Sequence, residues 1–235
     1  MTKKNLIAAI FAAAVCVVSG QLSAQDVTSP KMKAAPTIDG KLDDWKGVAT
    51  SIGMSDTSNI DDLKVENAYV TWDDKNLYVA VKVMDKKIVN DQPIERMQAA
   101  DAVELRLVTK NINLGSFYRI VIAPTTKDGK PTFKLTERDA NSKNETTVVS
   151  TTENTDKSGV KWALVKDDTS WTVEASIPLS LIALTAPAGK KIPFVLVVWD
   201  RDRTDINEWA EWNKRTESSS QKKKIDEWPS LILAE

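Results

Sequence analysis

Histidine is absent from all 235 residues, and a single cysteine, Cys16, is present. Without histidine there is no Ser-His-Asp triad, no histidine-ligated zinc and no ordinary neutral-pH proton shuttle. Long apolar runs are also lacking. The longest, Leu6 to Val18, is shorter than the roughly 20 residues needed to span a bilayer. It follows Lys3 and Lys4 and precedes Leu22-Ser23-Ala24, so residues 1–24 read as a secretory signal peptide cut near Ala24. Cys16 lies inside that run, and Ala13-Ala14-Val15 matches poorly what should precede a lipidated cysteine. The expected mature chain therefore has no disulfide, no thiolate nucleophile and no cysteine-bound metal. Its location is expected to be periplasmic or extracellular.

Charge of one sign is lacking too. Without Lys3 and Lys4, 30 basic residues face 33 acidic ones, a net charge of −3. This gives no footprint for nucleic acid or an anionic membrane. About 210 residues suffice for one substantial core.

What is present is a series of short strand patterns. Residues 25–35 read as a polar, flexible leader, and residues 36–235 as one domain. Val65 to Trp72 and Leu77 to Met84 flank the turn-rich Asp73-Asp74-Lys75-Asn76 and predict a hairpin. Leu77, Val79, Val81 and Val83 form its core face. Ala102 to Val108 sets Val103, Leu105 and Leu107 against Glu104 and Arg106. Phe117 to Ala123 puts Tyr118, Ile120 and Ile122 on one face and Arg119 on the other. Ser170 to Ile177 turns Trp171, Val173, Ala175 and Ile177 inward and Thr172, Glu174 and Ser176 outward. Ile192 to Trp199 is apolar on both faces, as a central strand should be. Thr132 to Thr136 and Thr146 to Thr151 are weaker strands. One helical turn at Leu42 to Trp45 and two at Pro178 to Leu184 complete the reading. Crossover helices are missing, which excludes a parallel α/β sheet. The expected fold is all-β, an antiparallel β-sandwich of jelly-roll type.

Eight tryptophans stand out. Trp45, Trp171 and Trp228 fit packing roles. Trp209 and Trp212, in the polar stretch Asn207 to Asn213, are three apart, so a strand would aim them at opposite faces. One can pack in the core while the other stacks on the apolar face of a sugar. Glu104, Arg106 and Arg119 fall on one face of adjacent strands. They read either as a surface ion-pair network or as a charged floor for sugar hydroxyls.

The order of motifs carries more information than any one of them. It runs from Pro36-Thr37-Ile38-Asp39-Gly40-Lys41-Leu42-Asp43-Asp44-Trp45 to Trp72-Asp73-Asp74, Asp85 and Asp101-Ala102-Val103-Glu104. Arg119, Trp171-Thr172-Val173-Glu174-Ala175-Ser176-Ile177-Pro178 and Val198-Trp199-Asp200 follow. In this order they resemble the family 9 carbohydrate-binding module and its wider DOMON-like relatives. The resemblance implies a non-catalytic saccharide or glycan-end binder that assists polysaccharide catabolism through a partner glycoside hydrolase. It implies ligand contacts from Glu104 and Arg119, and an aromatic wall from Trp212, with Trp209 as the second choice. Sugar-clamping members carry another tryptophan before Asp-x-Val-Glu, whereas Ile94 to Ala100 here has no aromatic residue.

The resemblance also implies structural calcium, Ca2+, with Asp85, Asp101 and Asp200 as ligands. Asp200-Arg201-Asp202-Arg203-Thr204-Asp205 supplies closely spaced oxygens, with Glu208 and Glu211 beyond. It is no EF-hand, because Asp205 stands where that loop needs glycine. A glycosidase would need two carboxylates flanking one bond, and nothing in the sequence sets Glu104 and Glu174 apart as such a pair. Two other readings remain. One is a b-type haem electron-transfer domain of the same sandwich shape, ligated by Met84 or Met97 with a lysine such as Lys82. The other is a structural envelope-associated domain.

Overall fold

The computed structural model describes residues 26–56, 63–110, 116–138, 144–203, 206–212, 225 and 228–235, with side chains left aside at 55–56, 203, 206–209 and 211–212. Residues 1–24, expected as a signal peptide, Asp205 and Lys222-Lys223-Lys224 lie outside the described residues. None of the described helices is long and apolar enough to cross a membrane.

The chain forms two stacked, mainly antiparallel sheets, as the alternating patterns require. Its strands are β1 (Val27–Pro30), β2 (Thr50–Ser51), β3 (Met54–Asp56), β4 (Lys64–Trp72), β5 (Asn76–Met84), β6 (Ala102–Leu107), β7 (Phe117–Ala123), β8 (Thr132–Arg138), β9 (Glu145–Thr151), β10 (Lys161–Lys166), β11 (Ser170–Pro178), β12 (Lys191–Arg203), β13 (Ile206–Trp212) and β14 (Ser230–Ala234). A nine-stranded sheet runs β1-β14-β12-β6-β7-β8-β9, with β13 and then β3 added beside β12. A five-stranded sheet runs β10-β11-β5-β4-β2.

The inner faces meet in one core. Val79, Val81 and Val83 of β5 join Val103, Leu105 and Leu107 of β6. Ile120 and Ile122 of β7 join Trp171, Val173 and Ile177 of β11. Each fully buried aliphatic chain contributes roughly 1.5–3 kcal/mol. The central position read for Ile192 to Trp199 holds. Phe194, Leu196 and Val198 enter this core, while Val195 and Val197 pack on the opposite face with Val108, Phe117, Ile225 and Trp228.

Segment 25–35, expected as a flexible leader, is corrected. Val27–Pro30 is a strand parallel to β14, and Ser29 is fully buried. Ser29 Oγ donates to the Val70 carbonyl at 3.2 Å, and Trp72 Nε1 donates to the Ser29 carbonyl at 3.0 Å. These bonds let the short polar strand join the seam between the two sheets. The helical reading of Pro178 to Leu184 reduces to one 3-10 turn, Leu179–Ile182, ended by Ala183 in left-handed geometry.

The outer face of the five-stranded sheet is covered by the opening motif. Leu42 and Trp45 pack on Tyr69, Tyr78 and Ala80. Glu174, expected outward, is fully buried beneath them. Its Oε2 accepts the amides of Asp39 at 2.8 Å and Gly40 at 2.6 Å, and its Oε1 accepts Trp45 Nε1 at 2.7 Å. Burial nevertheless pushes its carboxyl up to about 7.

Candidate functional site

The outer face of the nine-stranded sheet carries the polar trio. Arg106 pairs in register with Arg119, and Glu104 with Val121, so β6 and β7 present Glu104, Arg106 and Arg119 together. Next to them β12 sets Val197 against Glu104 and Trp199 against Ala102. Two small apolar clusters bracket the charges. Ile225 and Trp228 pack over Phe117 and Val195 at one end. At the other, Met97 of the 3-10 segment Ile94–Ala99 packs on Ala102, Val121 and Ala123.

These charges are not an open surface network. Glu104 has no exposure, and Arg106 and Arg119 keep only 8% and 6%. Glu104 Oε1 accepts Arg106 Nε at 2.8 Å, and Glu104 Oε2 accepts Trp199 Nε1 at 2.6 Å. Burial acts to raise the Glu104 carboxyl, but the Arg106 charge and hydrogen bond, with Arg119 and Trp199, hold it below the usual glutamate range. A carboxylate this deep requires such partners, since an unpaired buried charge is strongly destabilising.

Arg119 is gripped from β9. Its Nε and Nη2 donate to Glu145 Oε1 at 3.0 and 2.5 Å, and Nη2 also reaches Oε2 at 2.5 Å. Thr136 Oγ1 donates to the same Oε1. Burial raises the Glu145 carboxyl, and Thr136 and Arg119 together bring it below its ordinary value. Sequence reading missed Glu145, Thr136 and Trp199. Trp199 had a signal, because its strand is apolar on both faces and carries an indole that must find an acceptor. Glu145 had none, because it meets Arg119 only through the β8–β9 pairing.

Trp209 and Trp212 lie on β13, and their side chains are outside the described residues. The backbone register pairs Trp209 with Trp199 and Trp212 with Met54. Ala210 between them belongs to the main core.

A second cluster sits at one end of the sandwich. Asp85 follows β5, Asp101 precedes β6, Asp200 borders a register shift in β12, and Asp202 lies within it. Carboxylate oxygens of Asp85, Asp200 and Asp202 lie within 4.8 Å of one another. Asp85 Oδ2 accepts Trp171 Nε1 at 3.2 Å, and Oδ1 accepts the Lys87 amide at 2.7 Å. Asp101 stands behind this group. Its Oδ1 accepts the Arg201 amide at 2.9 Å and its Oδ2 the Val89 amide. Burial, opposed by the Val89 amide and reinforced by the charges of Asp85 and Asp200, pushes its carboxyl up to about 8. The residues gathered differ from the expected set by exchanging Asp101 for Asp202. A close set of hard oxygen donors is chemically suited to a calcium-sized cation.

Of the proposed haem methionines, Met97 is fully buried among Ala102, Val121 and Ala123. Met84 ends β5 opposite Ser170.

The two stacked sheets place the chain among antiparallel β-sandwiches. It belongs to the family described as Carbohydrate family 9 binding domain-like, matched over residues 38–233. Among solved structures it is similar to a family 9 carbohydrate-binding module from Caldicellulosiruptor kristjanssonii in complex with cellotriose. That match has TM-score 0.57 and 15% identity, covering 88% of this chain and 94% of that one. A module of the same family and organism in complex with glucose matches at TM-score 0.55 and 18% identity, covering 88% and 95%. A candidate carbohydrate-binding protein from Bacteroides uniformis matches at TM-score 0.63 and 12% identity, covering 89% and 99%. No curated protein sequence gives a significant match.

Proposed function

We propose that the protein is an exported, non-catalytic module that binds a saccharide or glycan end on the outer face of the nine-stranded sheet. The observation that carries this is the joining of Glu104, Arg106, Arg119 and Trp199 on one face of a family 9 sandwich. Glu104 acts as the buried anchor. It holds the Arg106 guanidinium and the Trp199 indole in fixed positions, and Arg119 is held likewise by Glu145. Preorganised donors of this kind lose little freedom when a sugar hydroxyl replaces water. Trp212 supplies the stacking face, with Trp209 as the second choice.

Asp85, Asp200 and Asp202 hold calcium, with Asp101 behind them. The ion would tie the end of β5 to β12 and so fix one sandwich end. Any part in polysaccharide breakdown comes through a partner glycoside hydrolase. Relatives in complex with cellotriose and glucose support a saccharide as the ligand class.

A glycan array followed by calorimetry tests the reading. Trp212→Ala is expected to weaken the best-binding oligosaccharide at least about tenfold. Full affinity in Trp212→Ala, with the loss found in Trp209→Ala instead, overturns this assignment of the stacking face.

A further inference from the structure

We infer that the saccharide taken on this face is acidic, bearing carboxylate or sulfate groups, and that Lys134 and Arg138 of β8 read that charge. The inference rests on the saccharide reading of the same face.

Both described carboxylates of the face already have partners. Each oxygen of Glu104 accepts one donor, and both oxygens of Glu145 accept the Arg119 guanidinium. Two further cations of the face form no close ion pair among the described residues, although the charge of Lys134 also acts on Glu145, the register partner of Arg138. Lys134 lies in register with Val121, and Arg138 with Phe117, so they flank Thr136 on the same face as Arg119. Both are half-buried. Alternate residues on a strand stand about 7 Å apart, so Lys134, Thr136 and Arg138 make a row of donors along the face. The Arg138 guanidinium rests 6.0 Å from the Phe117 ring, a contact that limits its freedom and leaves its N–H groups for a ligand.

Lysine and arginine donate hydrogen bonds and accept none. The unspent capacity of the described face is therefore donor-rich and positive. A neutral sugar hydroxyl can accept from these donors, but only as an uncharged acceptor. A uronate or sulfated sugar supplies charged acceptors, and charge-assisted bonds are the stronger kind.

The test is calorimetry with tri-galacturonate, the same trisaccharide with its carboxyls reduced, and a sulfated galactan trisaccharide. Wild type is expected to bind the galacturonate or the sulfated probe at least about tenfold tighter than the reduced one. Added salt should weaken the charged probe and leave the reduced one unchanged. Lys134→Gln with Arg138→Gln, confirmed folded by thermal unfolding, should bring the affinities within about twofold. If the reduced trisaccharide binds as well as the charged ones, the acidic specificity is wrong and the saccharide site stands. If no probe and no array glycan binds, both readings fall.

Discussion

Gly40 and Glu174, 134 residues apart in sequence, are joined by a hydrogen bond of 2.6 Å from the Gly40 amide to Glu174 Oε2. This bond explains why two separated motifs occur together in one chain. The Ile38-Asp39-Gly40 turn and Trp45 form a cover over the five-stranded sheet, and Glu174 is the acceptor that fastens it.

Glu174 makes stability depend on pH. Its folded carboxyl sits near 7, above the ordinary 4.5. A raised value stabilises the fold fully below the unfolded pKa, and that contribution fades as pH rises through 7. Relative to Glu174→Gln, wild type should lose up to about 3 kcal/mol between pH 4.5 and 8. Denaturant unfolding of both proteins across this range checks it. A constant difference would mean that Glu174 ionises normally.

Gly40 cannot be replaced without strain. Its φ is +86°, and an added Cβ would lie 2.2 Å from Val165 Cγ2. Gly40→Ala should cost about 1–2 kcal/mol in backbone strain, with the clash added. Adding Val165→Ala should remove the 2.2 Å contact, leaving the tighter-than-usual 3.0 Å approach to the residue 165 Cβ and the backbone cost. Thermal unfolding of both variants separates the two parts.

Arg119 and Glu145 should be strongly coupled. Arg119 is buried, and the Glu145 side chain is 23% exposed. Glu145→Ala leaves the guanidinium without its carboxylate and should cost about 2 kcal/mol, somewhat below the loss from a fully buried pair. A double-mutant cycle with Arg119→Met should return much of that as coupling energy. Additive effects would show that the pair is not a unit.

Calcium should raise the melting temperature and chelation should lower it, with saturating ion worth about 3 kcal/mol at a hundredfold excess over Kd. Asp202→Asn should remove most of the difference. Identical melting in calcium and in chelator would overturn the site.

Much of the architecture was legible because strand alternation sorts side chains before any contact is known. Val79, Val81 and Val83 declared their face, and so did Glu104 against Leu105. That Arg106 and Arg119 share a face followed from the same rule. What alternation does not report is what lies above a face. Glu104 and Glu174 both read outward, yet each is buried, one under Trp199 and its flanking clusters, the other under Trp45. The strand Val27–Pro30 was hidden because four residues with one valine carry little periodicity, and its partners lie at Val70 and Trp72. Asp202 joined Asp85 only because a register shift in β12 interrupts its pairing with β13.

Amide chemical-shift mapping with tri-galacturonate and with cellotriose tests the binding face most directly. Shifts should concentrate on Glu104, Arg106, Arg119, Thr136 and Trp199, with Lys82 and Ser176 on the other sheet unmoved. Shifts centred on the five-stranded sheet, or none with any glycan, would contradict a saccharide site on the outer face of the nine-stranded sheet.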